Sequence, residues 1–109
     1  MGDRGQFYME DEKIYLYTHW GAYRMEKDLQ AALDRGRGRW GDPEYFARIL
    51  FCELVKDDID GETGFGIGSE VHCDIRKLIT VDCKNKLVSR DDMEWTFEEF
   101  IDQNFKEEE

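Results

Sequence analysis

Aliphatic residues alternate with tyrosines in one stretch near the N-terminus. In "KIYLYTH", residues 13–19, Ile14 and Leu16 alternate with Tyr15 and Tyr17. This period of two predicts a β-strand with two distinct faces. The run "QFYM" before it predicts a shorter strand, and the polar turn "EDE" between the two favours a hairpin.

The apolar spacing then becomes helical. Apolar residues recur at intervals of three or four over residues 22–36, which predicts a helix that stops at Gly36. A second helix is predicted from Pro43 to about Lys56, because Asp42 is a suitable N-cap and proline fits the first helical position. Apolar residues cover most of the circumference of this second helix, so we expect it to be largely buried against a sheet.

Glycines and turn residues separate the predicted elements in the rest of the chain. In "TGFGIG", Phe65 and Ile67 alternate with glycines, which predicts a strand with one bare face against which an aromatic ring or a helix presses. Residues 78–81 and 87–88 predict a second hairpin. The spacing in "TFEE" at residues 96–99 predicts a capping box that starts a short final helix.

The resulting element order is ββααβββα. Strands and helices that come in separate runs predict an α+β fold. We expect a mostly antiparallel sheet of about five strands, covered on one face by two long helices and a short C-terminal helix.

Length and cysteine content set the broad class. The 109 residues are expected to form one compact domain, 1–109, with a frayed acidic tail at 106–109. Cys52, Cys73 and Cys83 show no CxxC spacing, so reduced thiols in a cytoplasmic protein are expected. The chain lacks any run of about 18 apolar residues, so no membrane span is predicted.

The net charge of −11 bears on the kind of partner. Such a surface repels phosphate, so no direct binding to nucleic acid is expected. The same charge favours docking onto a basic surface of another protein, and nucleic-acid-binding proteins carry such surfaces. Plain solubility is the competing explanation of the charge.

Two groups of carboxylates are candidates for such docking. The first group comes from a turn and the last helix, and the second from the loop after the second long helix. A row of carboxylates can occupy a channel built for nucleic acid, whereas a solvated helix face is the alternative interpretation. The candidate residues are Asp91, Asp92, Glu98, Glu99 and Asp102, followed by Asp57 and Asp58.

A second hypothesis places a small-ligand site where the second strand leads into the first helix. Backbone N–H groups at the start of a helix can bind an anion, and His19 and Trp20 lie beside them in the sequence. If the arginine-rich loop folds back over this junction, Arg37, Arg39 and Trp40 would complete a site for a phosphate or nucleotide. The alternative is that both tryptophans pack the end of the core.

No familiar catalytic or nucleotide-binding motif is present, whether GxSxG, HExxH, a Walker loop or GxGxxG. His19, His72 and three scattered cysteines make a poor zinc set, and the acids at residues 57–62 lack calcium-loop spacing. We therefore favour a non-enzymatic protein without metal or cofactor, and we assign no catalytic residue.

Four sequence pieces carry a resemblance. They are "YLYTHWG", "RW-D-YFAR-LF-E", "D-ETGFGI" and "W-FEEFI", and they span roughly residues 13–105. As a set they resemble a small family of proteins from bacteriophages, prophages and some archaea, for which no activity is established. The resemblance implies a mobile-element context, in which small acidic proteins often act against host defences, anti-CRISPR proteins among them. The leading hypothesis is therefore a phage-type inhibitor of a nucleic-acid-handling host protein, acting in the host cytoplasm.

Overall fold

The computed structural model describes residues 2–105, so the tail predicted at residues 106–109 lies outside the described part of the chain. Within that part the predicted α+β class is confirmed. A mostly antiparallel sheet is combined with two long helices and a short C-terminal helix. The predicted element order holds, with one strand added before the last helix.

Within residues 2–105 the sheet has six strands. They are β1 (Gly5–Met9), β2 (Ile14–Thr18), β3 (Phe65–Gly68), β4 (Lys77–Asp82), β5 (Leu87–Arg90) and β6 (Met93–Thr96). Their order across the sheet is β3-β2-β1-β4-β5-β6. The β1–β4 pair is parallel and every other pair is antiparallel. The two edges of the sheet are therefore β3 and β6.

Strand β6 is the element that the sequence pattern did not predict. It pairs with β5 through a tight turn in which Asp91 has a φ of 54°. Aspartate tolerates this left-handed conformation better than most residues do. The pairing places Trp95 opposite Val88 in the register, and both side chains are buried.

The three α-helices of the described residues pack on one face of the sheet. They are α1 (Met25–Arg35), α2 (Pro43–Val55) and α3 (Phe97–Ile101), and α1 contacts both of the others. Two short 3₁₀ helices, Ala22–Arg24 and Arg37–Arg39, precede α1 and α2. Strand residues such as Phe7 and Ile79 meet helix residues such as Leu29, Phe46 and Phe100 in one buried cluster. This apolar cluster supplies the main driving force for folding.

Helix α2 is less completely buried than predicted. Phe46, Leu50 and Leu54 are buried, but Tyr45 is 53% exposed and Phe51 is only half-buried. The sheet and α1 together cover part of the circumference of α2. The remaining apolar residues line a groove on its outer side.

No helix of the described residues packs on the other face of the sheet. Tyr8 and Tyr15 stack there with ring centroids 4.6 Å apart. The segment at residues 69–76 crosses this face, where His72 stacks on Tyr17 at 4.7 Å. The buried side chain of Gln6 fixes the segment, because its Oε1 accepts a hydrogen bond from the His72 N–H at 2.9 Å.

An aromatic ring or a helix was expected to pack against the glycines in and next to β3, and the structure shows this at only one of them. Gly64 has a φ of +96° and lies against the ring of Trp20, as expected for a glycine that an aromatic ring covers. A Cβ added at Gly66 or Gly68 would meet no atom within 4 Å. The backbone of β3 is therefore bare on the open face of the sheet.

Candidate functional site

The backbone N–H groups at the strand–helix junction are already used by the protein itself. The Gly21 N–H donates to Thr18 Oγ1 at 3.0 Å. The Ala22 N–H donates to the Asp3 carbonyl at 3.0 Å, and the Tyr23 N–H donates to Asp3 Oδ2 at 2.9 Å. The three groups proposed for an anion are therefore bound to acceptors of this chain.

Asp3 fills the position that an anionic ligand was expected to take. Its Oδ1 accepts a hydrogen bond from Arg76 Nε at 2.7 Å. That bond holds the pKa of Asp3 below its ordinary value, partial burial opposes it, and the Tyr23 N–H lowers the pKa further. The group next to the helix start is therefore a carboxylate at neutral pH.

His19 and Trp20 form a packed corner beside this cap. Arg4 Nε donates to His19 Nδ1 at 3.2 Å, and the Tyr17 hydroxyl lies 3.0 Å from the same nitrogen. Because Arg4 has no acceptor to offer, Nδ1 must accept that bond. Trp20 packs edge-on against His19 at 4.7 Å and remains 49% exposed.

Trp40 lies at the opposite end of the sheet. Its Nε1 donates to the Leu33 carbonyl at 2.9 Å, and its ring meets Phe97 edge-on at 5.3 Å. It lines a cleft together with Asp11 in the β1–β2 turn and Cys83 after the end of β4. His19 follows the other end of β2, so the arginine-rich loop does not fold back over the junction.

The arginines of that loop have partners of their own. Arg37 donates to Asp34 at 3.3 Å and to Glu98 at 2.9 Å. Arg39 donates to Asp42 at 3.5 Å and lies over the Tyr45 ring at 4.6 Å. The five residues of the ligand hypothesis are thus divided into two groups, and the structure does not assemble them into one site.

The carboxylates of the last strand and helix do share one region. Between residues 91 and 102 all six acidic side chains are exposed, on the β5–β6 turn, on β6 and on α3. We call this set the acidic edge, because it lies along the β6 edge of the sheet. Its members are Asp91, Asp92, Glu94, Glu98, Glu99 and Asp102.

Three members of the acidic edge also have contacts within the protein, and the first is Asp91, whose carboxylate lies 3.9 Å from Arg90 Nε. Glu98 pairs with Arg37, and this hydrogen bond raises the pKa of Arg37. Glu99 and Thr96 form the predicted capping box, with Thr96 Oγ1 accepting from the Glu99 N–H at 3.0 Å and the Glu99 carboxylate accepting from the Thr96 N–H at 2.8 Å. Within residues 2–105, Asp92, Glu94 and Asp102 form no ion pair.

Asp57 and Asp58 lie apart from the acidic edge. They follow α2 in the loop that leads to β3, at the opposite edge of the sheet. Five strand spacings separate β3 from β6, which is roughly 24 Å. Asp57 is also paired with Arg24 at 3.4 Å. The second group of candidate acids therefore belongs to a different surface.

A groove between α2 and β3 is a feature that the sequence did not reveal. One part has a volume of about 310 Å³ and is lined by residues that include Val55, Ile59 and Phe65. A second part of about 260 Å³ includes Ile14, Ala47 and Ile67. Phe51 and Arg48 line both parts, so we call the whole feature the α2–β3 groove. Two features of the sequence could have indicated this groove. Apolar residues cover most of the circumference of α2, and the strand beside it contains glycines, which lack side chains.

Residues 2–105 contain neither a metal-binding cluster nor a helix that could span a membrane. No group of three or more His, Cys, Asp or Glu side chains is arranged to hold a metal ion there. None of the helices in that range combines the length and the apolar character that a bilayer crossing requires. The candidate functional features are therefore surfaces, namely the acidic edge, the open face of the sheet with its stacked tyrosines, and the α2–β3 groove.

Comparisons of the chain with protein-family models, with curated proteins and with solved structures each found no match. The resemblance to a family of phage-type proteins therefore stays a prediction.

Proposed function

We propose that this protein is a non-enzymatic binding protein that docks its acidic edge onto a basic surface of a partner protein, at a place where that partner holds nucleic acid. The observation that carries the proposal is the set of six exposed carboxylates held on one continuous segment, residues 91–102. An exposed methionine, Met93, lies among them at 47% exposure and offers an apolar contact inside a charged rim.

The acidic edge is held in place by buried aromatic residues. Trp95, Phe97 and Phe100 anchor β6 and α3 in the core, and the capping box fixes the first turn of α3. Charges held in this way lose little conformational freedom when they bind, so more of the electrostatic attraction is available for affinity. Fixed carboxylates can also take the positions of phosphate groups against a lysine- and arginine-lined channel.

The net charge of −11 supports a protein partner in place of nucleic acid itself. The resemblance to phage-type proteins suggests the biological setting. In that setting the partner is a host protein of the cytoplasm, such as a nucleic-acid-handling defence effector, and docking inhibits it by covering its nucleic-acid-binding surface.

The test compares the wild-type protein with a variant that loses charge but keeps its structural contacts. Asp92→Asn, Glu94→Gln and Asp102→Asn remove three carboxylates and spare both the capping box and the Arg37 pair. Both proteins are immobilised and exposed to host lysate, and captured proteins are identified by mass spectrometry. We expect the wild-type protein to capture a nucleic-acid-binding protein that duplex DNA or added salt releases, and the variant to lose it.

A matched control removes three charges elsewhere. Glu10, Asp60 and Glu70 are exposed, lie outside the acidic edge and form no ion pair with any residue in 2–105. Their replacement by the corresponding amides should leave capture of the partner unchanged. Equal loss of the partner in both triple variants, or retention in both, would reject the acidic edge as the docking surface.

A further inference from the structure

We propose that two copies of this chain pair their β3 strands antiparallel about a two-fold axis at Gly66, which joins the two sheets into one of twelve strands. The inference comes from the edge opposite to the acidic edge and does not depend on the proposed function. It rests on three features: the backbone N–H and C=O groups of β3 that point away from the sheet, the apolar side chains beside β3, and the charges of the α2–β3 groove.

Strand β3 is an unprotected edge. Among residues 2–105 it pairs with β2 alone, and its sequence, Phe-Gly-Ile-Gly, contains no charge and no proline. Edge strands normally carry such residues because a bare row of backbone groups recruits another strand. The opposite edge, β6, is protected in this way by Glu94 and by the acids of the preceding turn.

The hydrogen bonds of the neighbouring pair show which backbone groups of β3 point outward. The His19 N–H donates to the Gly64 carbonyl at 2.8 Å, so this pair is a hydrogen-bonded one. Hydrogen-bonded and non-hydrogen-bonded pairs alternate along an antiparallel ladder. Gly66 therefore bonds to β2 as well, whereas the N–H and C=O groups of Phe65 and Ile67 point away from the sheet.

One register satisfies all four outward groups. If Gly66 faces Gly66 of the second copy, Phe65 of each copy faces Ile67 of the other. Each Phe65–Ile67 pair then exchanges two hydrogen bonds, which gives four across the axis. Paired residues share a face, so each pair also forms an aromatic–β-branched contact of the kind that stabilises sheets. The Gly66 pair fits on the open face because a Cβ there would meet no atom within 4 Å.

The apolar side chains beside β3 support a second copy as the occupant. Ile67 is 62% exposed and Ile59 is 69% exposed, and both line the α2–β3 groove. The two-fold axis would bring the grooves of the two copies side by side on the helix face of the joined sheet. Exposed apolar surface would be removed from water on both copies at once.

Charges along the groove are complementary under the same symmetry. Arg48 is exposed, lines both parts of the groove and forms no ion pair with the rest of the described chain. Asp58 and Glu62 line the part near Phe65 and also form no ion pair there. An antiparallel pairing carries the Ile67 end of one groove toward the Phe65 end of the other, so each Arg48 approaches the acids of the second copy.

Association has to overcome repulsion between two chains that each carry a net charge of −11. Salt screens this long-range repulsion but affects backbone hydrogen bonds and apolar contacts little. The dimer should become tighter as salt is added, because the repulsion between the two net charges of −11 outweighs the local attraction of each Arg48 to the acids of the second copy. This is the opposite of the salt dependence expected for docking onto a basic partner.

The first test is sedimentation equilibrium of the purified chain, at protein concentrations up to about 1 mM, where even weak dimers form. We expect a monomer–dimer equilibrium whose Kd falls with added salt. Ile67→Lys places a charge in both Phe65–Ile67 pairs and should raise the Kd at least about tenfold, or 1.4 kcal/mol. Val71→Lys is the matched control, because Val71 is also exposed, at 51%, but lies outside β3.

A cross-linking test fixes the register. Gly66→Cys in a Cys52→Ser and Cys73→Ser background should form a disulfide between copies on oxidation. The two Cα atoms of the non-hydrogen-bonded Gly66 pair would lie about 4.5 Å apart, within the range a disulfide spans. Gly68→Cys, on the same face of the same strand, should not cross-link, because the two copies of residue 68 would lie more than about 13 Å apart.

Two results would overturn the proposal. One is a chain that stays monomeric over the whole concentration and salt range. The other is a dimer that Ile67→Lys leaves intact, with Gly66→Cys and Gly68→Cys cross-linking to the same extent. Retention of the captured partner by an acidic-edge variant that still dimerises would reject the proposed function alone, so the two proposals fail separately.

Discussion

Asp3 caps the short 3₁₀ helix Ala22–Arg24 that leads into α1, because its Oδ2 accepts the backbone N–H of Tyr23, twenty residues further along the chain, at 2.9 Å. The backbone of Asp3 strengthens the link, since its N–H donates to the His19 carbonyl at 2.8 Å and its carbonyl accepts the Ala22 N–H at 3.0 Å. The first residues of the chain thus complete the junction between β2 and α1 and occupy the place of a ligand.

Removal of this carboxylate should destabilise the protein in a pH-dependent way. Asp3→Ala is expected to cost about 1 kcal/mol at neutral pH, the usual cost of losing a helix cap. The folded-state pKa of Asp3 lies below 3.8, its value in a free chain, so its contribution is fully present above that pH. It should disappear as the pH falls through the lowered pKa.

Urea denaturation of the wild-type protein and Asp3→Ala between pH 7 and strongly acidic pH measures this effect. The two unfolding free energies should converge as the pH falls below 3.8. A difference that stays constant over the whole pH range would mean that packing of the N-terminal segment, and not the charge of Asp3, stabilises the junction.

Local periodicity was sufficient to predict most of this fold. The strand around Leu16 and the helix that begins at Pro43 carry their signals within a few neighbouring residues, and both are confirmed. Strand β6 was missed because its turn uses a left-handed aspartate, Asp91, in place of the Asn-Gly or Asp-Gly pair that marks a tight hairpin. A turn made by a less common residue leaves no clear mark in the sequence.

The candidate sites depended on long-range placement, which periodicity does not contain. Parallel pairing of β1 with β4 brings Cys83 to the β1–β2 turn, where Trp40 lies, whereas His19 follows the other end of β2. The cap by Asp3 joins residues distant in the sequence. The exposure of Ile67 follows from β3 being an edge strand, which only the complete strand order reveals.

Gly64 should be one of the least replaceable glycines. Its φ of +96° is unfavourable for any side chain, and a Cβ there would overlap the Trp20 ring. Gly64→Ala is therefore expected to lower the unfolding free energy by at least about 1 kcal/mol. Gly68→Ala, where a Cβ meets no atom within 4 Å, is the matched control and should change stability little. Equal thermal stability of the two variants would contradict the contact between Gly64 and Trp20.

Glu26 should be far more important to stability than the exposed acids. Its buried carboxylate receives hydrogen bonds from Lys77 at 2.8 Å and from Arg90. Glu26→Gln would remove the buried negative charge that faces both cations and should cost about 3 kcal/mol. Glu98→Gln breaks a pair with Arg37 in which both side chains are largely exposed, so it should change the unfolding free energy little.

Chemical denaturation of these two variants separates the two cases. The midpoint should shift strongly for Glu26→Gln and only slightly for Glu98→Gln, with similar dependence on denaturant in both. Similar small shifts in the two variants would show that solvent reaches the Glu26 carboxylate in the folded state.

Within the acidic edge, Glu99 and Asp102 should respond differently to reversal of their charge. Glu99→Lys destroys one half of the capping box and adds a cation near the N-terminus of α3, so it should destabilise the protein by about 1 kcal/mol. Asp102→Lys makes the same change in charge at the other end of the helix, where a cation is favourable. Thermal unfolding compares them directly, and equal melting temperatures would argue against the capping box.

Cys83 should be the least reactive thiol of the chain. Burial raises its pKa to about 12, with the nearby charges of Asp11 and Glu12 adding to the shift. Because the thiolate is the reactive form, a disulfide reagent at neutral pH should label the exposed Cys73 rapidly and Cys83 only on unfolding. The raised pKa also means that the stability gained from the neutral thiol is complete below pH 9.0, its ordinary pKa, and is lost as the pH rises toward 12. A Cys52→Ser and Cys73→Ser variant isolates the Cys83 reaction, and rapid labelling of that folded variant would contradict the burial of the thiol.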